Sequence, residues 1–371
     1  MGKKLVKLAP KLLICLLLMG WIIQAIFWDE GKRAWEQQGK SPSWDELTRV
    51  ERLEISWQYG PPELWNSLTT VDTGYFLLSV LLVGVTLLIG MVRWRLFLRM
   101  QGFALPFSRV AEISFVAHFF NAFLLGSTGG DLIKAYYVAR ETHHRKTEAA
   151  TTVFADRLIG LFSMLFLSVV MVLPNLNWVL SHRGTKAAVF LLFMMFAGCA
   201  ALVFLAFQGG VSKFFPGARR ILRKLPFGEL LETSIDSCRE LGRQKLMLFY
   251  AFLLSMLLNV FCVFQFTAIA KGLNLEIPVS AMFCIVPMII SIAALPITPS
   301  GLGVRENLFV IMLSSGDFNV EPTPALSLSL LALAGSLFWS LVGGIVYLTF
   351  REKHHLKDIA AAAPANNNDV G

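Results

Sequence analysis

Charge is scarce in this sequence. Asp, Glu, Lys and Arg make up 16% of its 371 residues, against about 25% in an ordinary soluble domain. Hydrophobic residues make up 55%, and the mean hydropathy is +0.61. That balance excludes a soluble globular class. Apolar runs near the roughly 20 residues that one membrane-crossing helix needs recur along the chain, so it reads as an all-α integral membrane protein.

Cysteine is sparse as well. Cys15, Cys199, Cys238, Cys262 and Cys284 show no paired spacing, and four lie inside apolar runs. This argues against a disulfide framework or a metal site; as small apolar fillers they suffice. No GxxxxGK[ST] loop occurs, so ATP is not expected to bind as it does in P-loop proteins, and no cofactor is expected. The net charge of +8 is read as basic cytoplasmic loops rather than as a nucleic-acid surface.

What is present is a series of spans. Lys3, Lys4, Lys7 and Lys11 precede Leu12 to Trp28, read as a retained first span with a cytoplasmic N-terminus, since no small-x-small cleavage site follows. Asp29 to Asp72 carries nine acidic and five basic residues and four tryptophans. It is expected to form a short helical cap outside the membrane, with Pro61-Pro62 marking a turn. Further spans are Gly74 to Val92, Leu158 to Trp178, Ala187 to Phe207, Met247 to Ala270 and Leu326 to Phe350, about six in all. The basic run from Arg93 to Arg109 and the connector from Gly209 to Lys245 read as cytoplasmic, and residues 351–371 as a disordered cytoplasmic tail.

Two apolar runs are too short to cross. Val110 to Leu125 ends in GSTGGDLIKAYY (Gly126 to Tyr137), and Ala281 to Ile297 ends in TPSGLGVRE (Thr298 to Glu306). Loop charges suggest that the first enters from and returns to the cytoplasm, and the second does the same from outside. Both read as re-entrant helical hairpins in opposite orientations. Span, hairpin, span recurs over 74–178 and 247–350, an inverted repeat of the kind transporters build around a mid-membrane site. The chain thus divides into 1–73, a transmembrane domain at 74–350, and the tail.

Backbone broken at membrane depth must be buried or line a polar cavity. Gly126, Gly129, Gly130, Gly301 and Gly303 allow a close approach of ligand to backbone, and a helix starting at each tip presents N–H groups to an anion. Asp131 and Lys134 share a helix face at i, i+3. Arg305 and Glu306 diverge by about 100° and are expected to pair with other elements rather than with each other. Asp156-Arg157 is placed at the cytoplasmic opening of its span. His118 and Asn121 share a face and suit hydrogen bonds to each other or to the tip. Blander readings stand beside these: glycine breaks also serve close packing, Lys134, Arg140, Tyr136 and Tyr137 also suit interfacial anchoring, and Asp156-Arg157 also suits a structural pair. His143-His144 and His354-His355 read as solvated.

Three elements, NAFLLGSTGGDLIKAYY (Asn121 to Tyr137), ADRLIGL (Ala155 to Leu161) and LPITPSGLGVRE (Leu295 to Glu306), resemble in order and spacing the lysylphosphatidylglycerol synthase transmembrane-region family of flippase-like proteins. Ser127-Thr128 and Lys134 depart from that pattern, which has proline or valine near the tip and more often arginine at the second place. The resemblance implies movement of a polar-headed, phosphate-containing lipid between leaflets of the cytoplasmic membrane. It carries over Gly129, Gly130, Asp131, Lys134, Arg157, Gly301, Gly303, Arg305 and Glu306 as a substrate-binding set, to which Asn121 is added. Only about twenty residues follow the last span, so no synthase domain is expected here; a separate lipid-modifying synthase is a possible partner. A rival reading is a membrane glycosyltransferase using polyprenyl-phosphate sugars, resting on Asp29-Glu30 after the first span. A third is a non-transporting assembly partner.

Overall fold

The structure, a computed structural model, describes residues 43–123, 129–142, 145–176, 183–208, 228–295, 301–314 and 320–349, with isolated positions at 24–36 and 318. The expectations for most of the first span, Asp29-Glu30, Gly126 to Thr128, His143-His144, Pro296 to Ser300 and the tail fall outside the described residues. Among the described residues every regular element is helical: α1 Arg49–Thr69, α2 Thr73–Met100, α3 Phe107–Phe123, α4 Gly129–Glu141, α5 Lys146–Val172, α6 Arg183–Gln208, α7 Gly228–Arg243, α8 Lys245–Gly272, α9 Val279–Ala293, α10 Val304–Leu313 and α11 Pro322–Thr349. Of these, α2, α5 (with its short 3-10 extension), α6, α8 and α11 are long and apolar enough to cross a membrane.

Helix ends differ from the sequence expectations in three places. The second span does not stop at Val92: α2 runs on through Arg93 to Met100, burying Arg93, Trp94, Phe97 and Leu98. The third begins at Lys146, so Asp156 and Arg157 lie ten residues inside α5 rather than at its opening. In both cases an isolated charge ends a hydropathy run but does not end a helix when an opposite charge meets it. Third, Pro61 and Pro62 do not turn the chain; both lie inside α1. Packing of α1 on α11, with Leu64 against buried Leu326, carries the helix past two missing backbone donors. The α1 start is a reciprocal cap: Thr48 Oγ1 accepts from the Glu51 N–H, and Glu51 Oε2 accepts from the Thr48 N–H at 2.7 Å. The tryptophans expected to float at the headgroup layer divide. Trp44 is buried in a small cluster with Leu47 and Ile55, whereas Trp57 and Trp65 are exposed.

The central pair is α2 with α8, and it is antiparallel. The Asp72 N–H donates to the Gly272 carbonyl at one end, Gly90 faces Leu258 in the middle, and Gln244 Nε2 donates to the Met100 carbonyl at the other end. Around this axis the packing repeats when the set α2, α3, α4, α5 is exchanged for α8, α9, α10, α11. Helix α3 packs on α11 as α9 packs on α5; α4 packs on α5 as α10 packs on α11; α2 meets α11 as α8 meets α5.

Helices α3 and α4 form a hairpin whose two feet stand together. Arg145 Nη1 donates to the Gln101 carbonyl at 3.0 Å, so the chain leaves α2 and enters α5 at one place. Arg109 Nε donates to Glu141 Oε1 at 2.7 Å across the base. Helix α7 lies against the same end, where the Ser237 carbonyl accepts from Gln101 Nε2 at 2.9 Å.

Candidate functional site

The tip of the first hairpin is built by a side chain on its incoming helix. Asn121 of α3 accepts the Gly130 N–H at 2.8 Å, securing one of the free donors at the start of α4. Gly130 cannot be replaced without movement, because a Cβ there would collide with the Ala117 carbonyl and the Asn121 amide. This close approach seats α4 against α3 and sets the register of everything after it.

From that start α4 aims two charges at α5. Asp131, in the first turn, accepts from Arg157 Nε at 2.5 Å. Lys134, one turn further, lies 3.6 Å from Asp156 Oδ2 and 4.0 Å from the centre of the Trp94 ring. Asp156 takes a shorter contact from Arg93 Nε at 2.8 Å, and Arg93 Nη1 donates to Ser255 Oγ of α8 at 2.9 Å. The Trp94 indole is itself held by Thr152 Oγ1 at 3.2 Å. Five charges therefore run in a connected row, Arg93, Asp156 and Lys134 at the closed end, Asp131 and Arg157 at the open one. Side-chain exposure rises along the row from 7% at Asp156 to 50% at Arg157.

The row walls a cavity of about 290 Å³ between α2, α3, α4 and α5. Asn121, Asp131, Lys134 and Arg157 line it, and so do Arg93, Asp156 and His118. Three basic side chains face two carboxylates there. Charges at membrane depth cost roughly 2.5–3.5 kcal/mol or more each unless paired or hydrated, so the row is stable as a paired set and keeps one positive charge in excess. His118 does not bond Asn121 in the pairing considered from sequence: its Nε2 lies 3.3 Å from the Ser336 carbonyl of α11.

At the second tip the described residues, from Gly301 onward, bond to one another and to α11. Gly301 and Gly303 have φ of 71° and 81°, a region that side-chain-bearing residues rarely adopt. Glu306 folds back so that its Oε2 accepts the Gly303 N–H at 2.7 Å, and it is fully buried. Its other oxygen accepts from Arg305 Nη2 at 2.6 Å and from Ser329 Oγ at 3.1 Å, while Arg305 Nε donates to Ser329 Oγ at 2.9 Å. The sequence expectation that Arg305 and Glu306 avoid each other is thus corrected. The 100° divergence holds for the Cβ atoms, but capping draws the Glu306 carboxylate back to the helix start, where the long arginine reaches it. Ser329 of α11 then locks both.

The ten residues singled out in the sequence therefore form two groups. Asn121, Gly129, Gly130, Asp131, Lys134 and Arg157 gather at the first tip. Gly301, Gly303, Arg305 and Glu306 form a separate, self-satisfied cluster that does not wall the 290 Å³ cavity. Sequence reading missed Arg93, Asp156's inner partner, because it stands in a run of four arginines that reads as a basic loop. Its signal was position: one residue past an unbroken apolar helix, with Trp94 and Phe97 continuing the run.

Residues 53–344 match the family described as the lysylphosphatidylglycerol synthase TM region. A UPF0104 membrane protein of Pyrococcus horikoshii is 25% identical over 324 residues, covering 81% of this chain and 94% of its own length. A UPF0104 membrane protein of Methanocaldococcus jannaschii is 20% identical over 313 residues, covering 81% and 92%. With its apolar helices and a match over most of its length, this multi-pass membrane chain belongs to the lysylphosphatidylglycerol synthase transmembrane-region family.

Proposed function

We propose that the protein is a lipid translocase: it moves a lipid with an anionic, phosphate-bearing headgroup between the leaflets of a cytoplasmic membrane, without chemically altering it. The observation that carries this reading is the cavity at the first tip, where a connected row of five charges with one cation in excess opens outward at Arg157. An ionic headgroup exposed to hydrocarbon costs on the order of tens of kcal/mol in the Born limit. A polar cavity within the bundle replaces its water while the acyl chains stay in lipid.

In this mechanism the phosphate meets Arg157 first, because Arg157 is the most exposed member of the row. It takes the place of the Asp131 carboxylate on the guanidinium, a bidentate exchange for which arginine is suited. Lys134 receives the headgroup one turn deeper, and Asp156 stays bound to Arg93. The two hairpins act as re-entrant elements of an inverted repeat, an assignment supported by the antiparallel α2–α8 axis and the exchangeable packing around it. The second tip is then the counterpart of the first, and rocking of the two units exchanges them. Both termini lie in the cytoplasm in this arrangement, and a separate synthase supplies any modified headgroup.

The test is leaflet exchange in proteoliposomes carrying a headgroup-labelled anionic lipid, read by quenching with a membrane-impermeant reductant. Arg157→Gln removes a charge-assisted contact worth about 1.5–3 kcal/mol, so exchange should slow roughly ten- to a hundredfold. Asp131→Asn should also slow it, because the phosphate bound to Arg157 then has no carboxylate to displace it on release. Equal exchange in wild type and both variants would sink the reading.

A further inference from the structure

We infer that a second lipid-binding site lies on the outer surface of the protein, in a groove between α2 and α8, and that it holds an anionic phospholipid as a resident rather than as cargo. The groove encloses about 450 Å³, within the roughly 300–1,000 Å³ typical of small-molecule sites. Arg95 and Arg99 stand one helical turn apart along its α2 wall. Leu253 and Leu257 form the α8 wall, and Phe107 at the foot of α3 closes one end. Among the described residues that line it, none is acidic.

Two observations point to an anion. The Nε of Arg95 is buried and has no hydrogen-bond partner among the described residues, which costs about 1–3 kcal/mol when left unmet. The Arg95 Cζ lies 5.8 Å from the Phe107 ring centre, which holds the guanidinium at the foot of α3. A phosphate oxygen satisfies the buried N–H, and Arg99 at i+4 offers a second guanidinium to the same group. The apolar half of the groove points to an acyl chain. Leu253 and Leu257 are 45% and 46% exposed, on a helix long and apolar enough to cross the membrane, so they face lipid and extend away from the two arginines. Charge at one end and apolar surface at the other describe a phospholipid, anchored at the level where α2 ends.

The groove is distinct from the charged cavity. Arg99 stands two and a half turns beyond Gly90, which lines that cavity, and so projects from the opposite face of α2. The inference accordingly does not rest on translocation. A lipid held here bridges the two helices that form the axis of the fold.

Native mass spectrometry of the purified full chain, titrated with phosphatidylglycerol, tests this directly. Wild type should retain one more phosphatidylglycerol per chain than Arg95→Gln/Arg99→Gln, with at least a tenfold lower half-saturating concentration. Leu253→Trp keeps both arginines and fills the apolar wall; it should lose the same lipid, which keeps the test decisive if the double variant folds poorly. Three results would overturn the inference: an unchanged lipid count in the variants, equal retention of phosphatidylcholine, or full displacement by millimolar inorganic phosphate, which would make the site one for the free anion.

Discussion

Arg93 and Asp156 hold opposite charges 2.8 Å apart inside an apolar bundle, and the value of each depends on the other. Removing one partner of a buried pair costs about 3–5 kcal/mol, while replacing both by apolar residues is often neutral. Arg93→Met should therefore lower the thermal midpoint in detergent sharply, and Arg93→Met/Asp156→Leu should recover most of the loss. Lys134 remains beside Asp156 in the single variant and softens the effect, so a triple set with Lys134→Met measures how the stabilisation is shared. At the second tip, Gly303→Ala forces a side chain into φ of 81°, a strain of about 1–3 kcal/mol. It should destabilise more than Asn307→Ala, which loses only the bond from Asn307 Nδ2 to the Gly303 carbonyl; scanning calorimetry or fluorimetry separates the two. Residue chemistry at the tips was legible in advance because glycine, aspartate and lysine are conspicuous among apolar neighbours. Ser329 was not, since a serine on an apolar helix carries no sign of which carboxylate it will meet.

Among the elements, α1 offers a pH-dependent one outside the membrane-crossing helices. Hydrogen bonds from the Thr48 backbone and side chain hold the Glu51 carboxyl below its ordinary value of 4.5. A carboxyl depressed in the folded state stabilises above its unfolded pKa, and that contribution disappears as pH falls through the folded value. The first turn of α1 should thus fray under acid, and Glu51→Gln should remove that dependence; hydrogen exchange at residues 49–52 between neutral and acidic pH reads it. The long helices were legible from their apolar runs, and so were the shorter apolar helices α3 and α9, each of which ends near the glycine-bearing stretch that interrupts its run. Their ends were misjudged where charge is neutralised internally. Arg93 ends a hydropathy window yet continues α2, and Asp156 delays a window that opens at Lys146, since a window counts each charge alone and a helix meets them in pairs. Pro61-Pro62 misled for a similar reason, local preference yielding to the packing of α1 on α11.

For the molecule as a whole, the exchangeable packing around α2 and α8 sets a cavity beside α4 against the buried Arg305, Glu306 and Ser329 cluster beside α10. In a cysteine-free background, Thr86→Cys, on the cavity wall, should react with a small water-soluble maleimide at least tenfold faster than Ser329→Cys, which replaces a fully buried side chain. Under the proposed mechanism, adding transported lipid should narrow that ratio, and a ratio unmoved by lipid would count against reciprocal opening.

The seating of α3 on α11 carries a further consequence, for biosynthesis. Phe115 stacks on Trp339 with ring centres 6.1 Å apart, and His118 reaches the Ser336 carbonyl, yet the second partner is synthesised some two hundred residues after the first. At about 5–20 residues per second, α3 waits roughly ten to forty-five seconds for its neighbour. During that interval the insertion machinery holds a short apolar helix whose final contact does not yet exist. Nascent chains arrested before α11 should accordingly be bound by membrane chaperones and cleared by membrane proteases, and the completed chain should escape both.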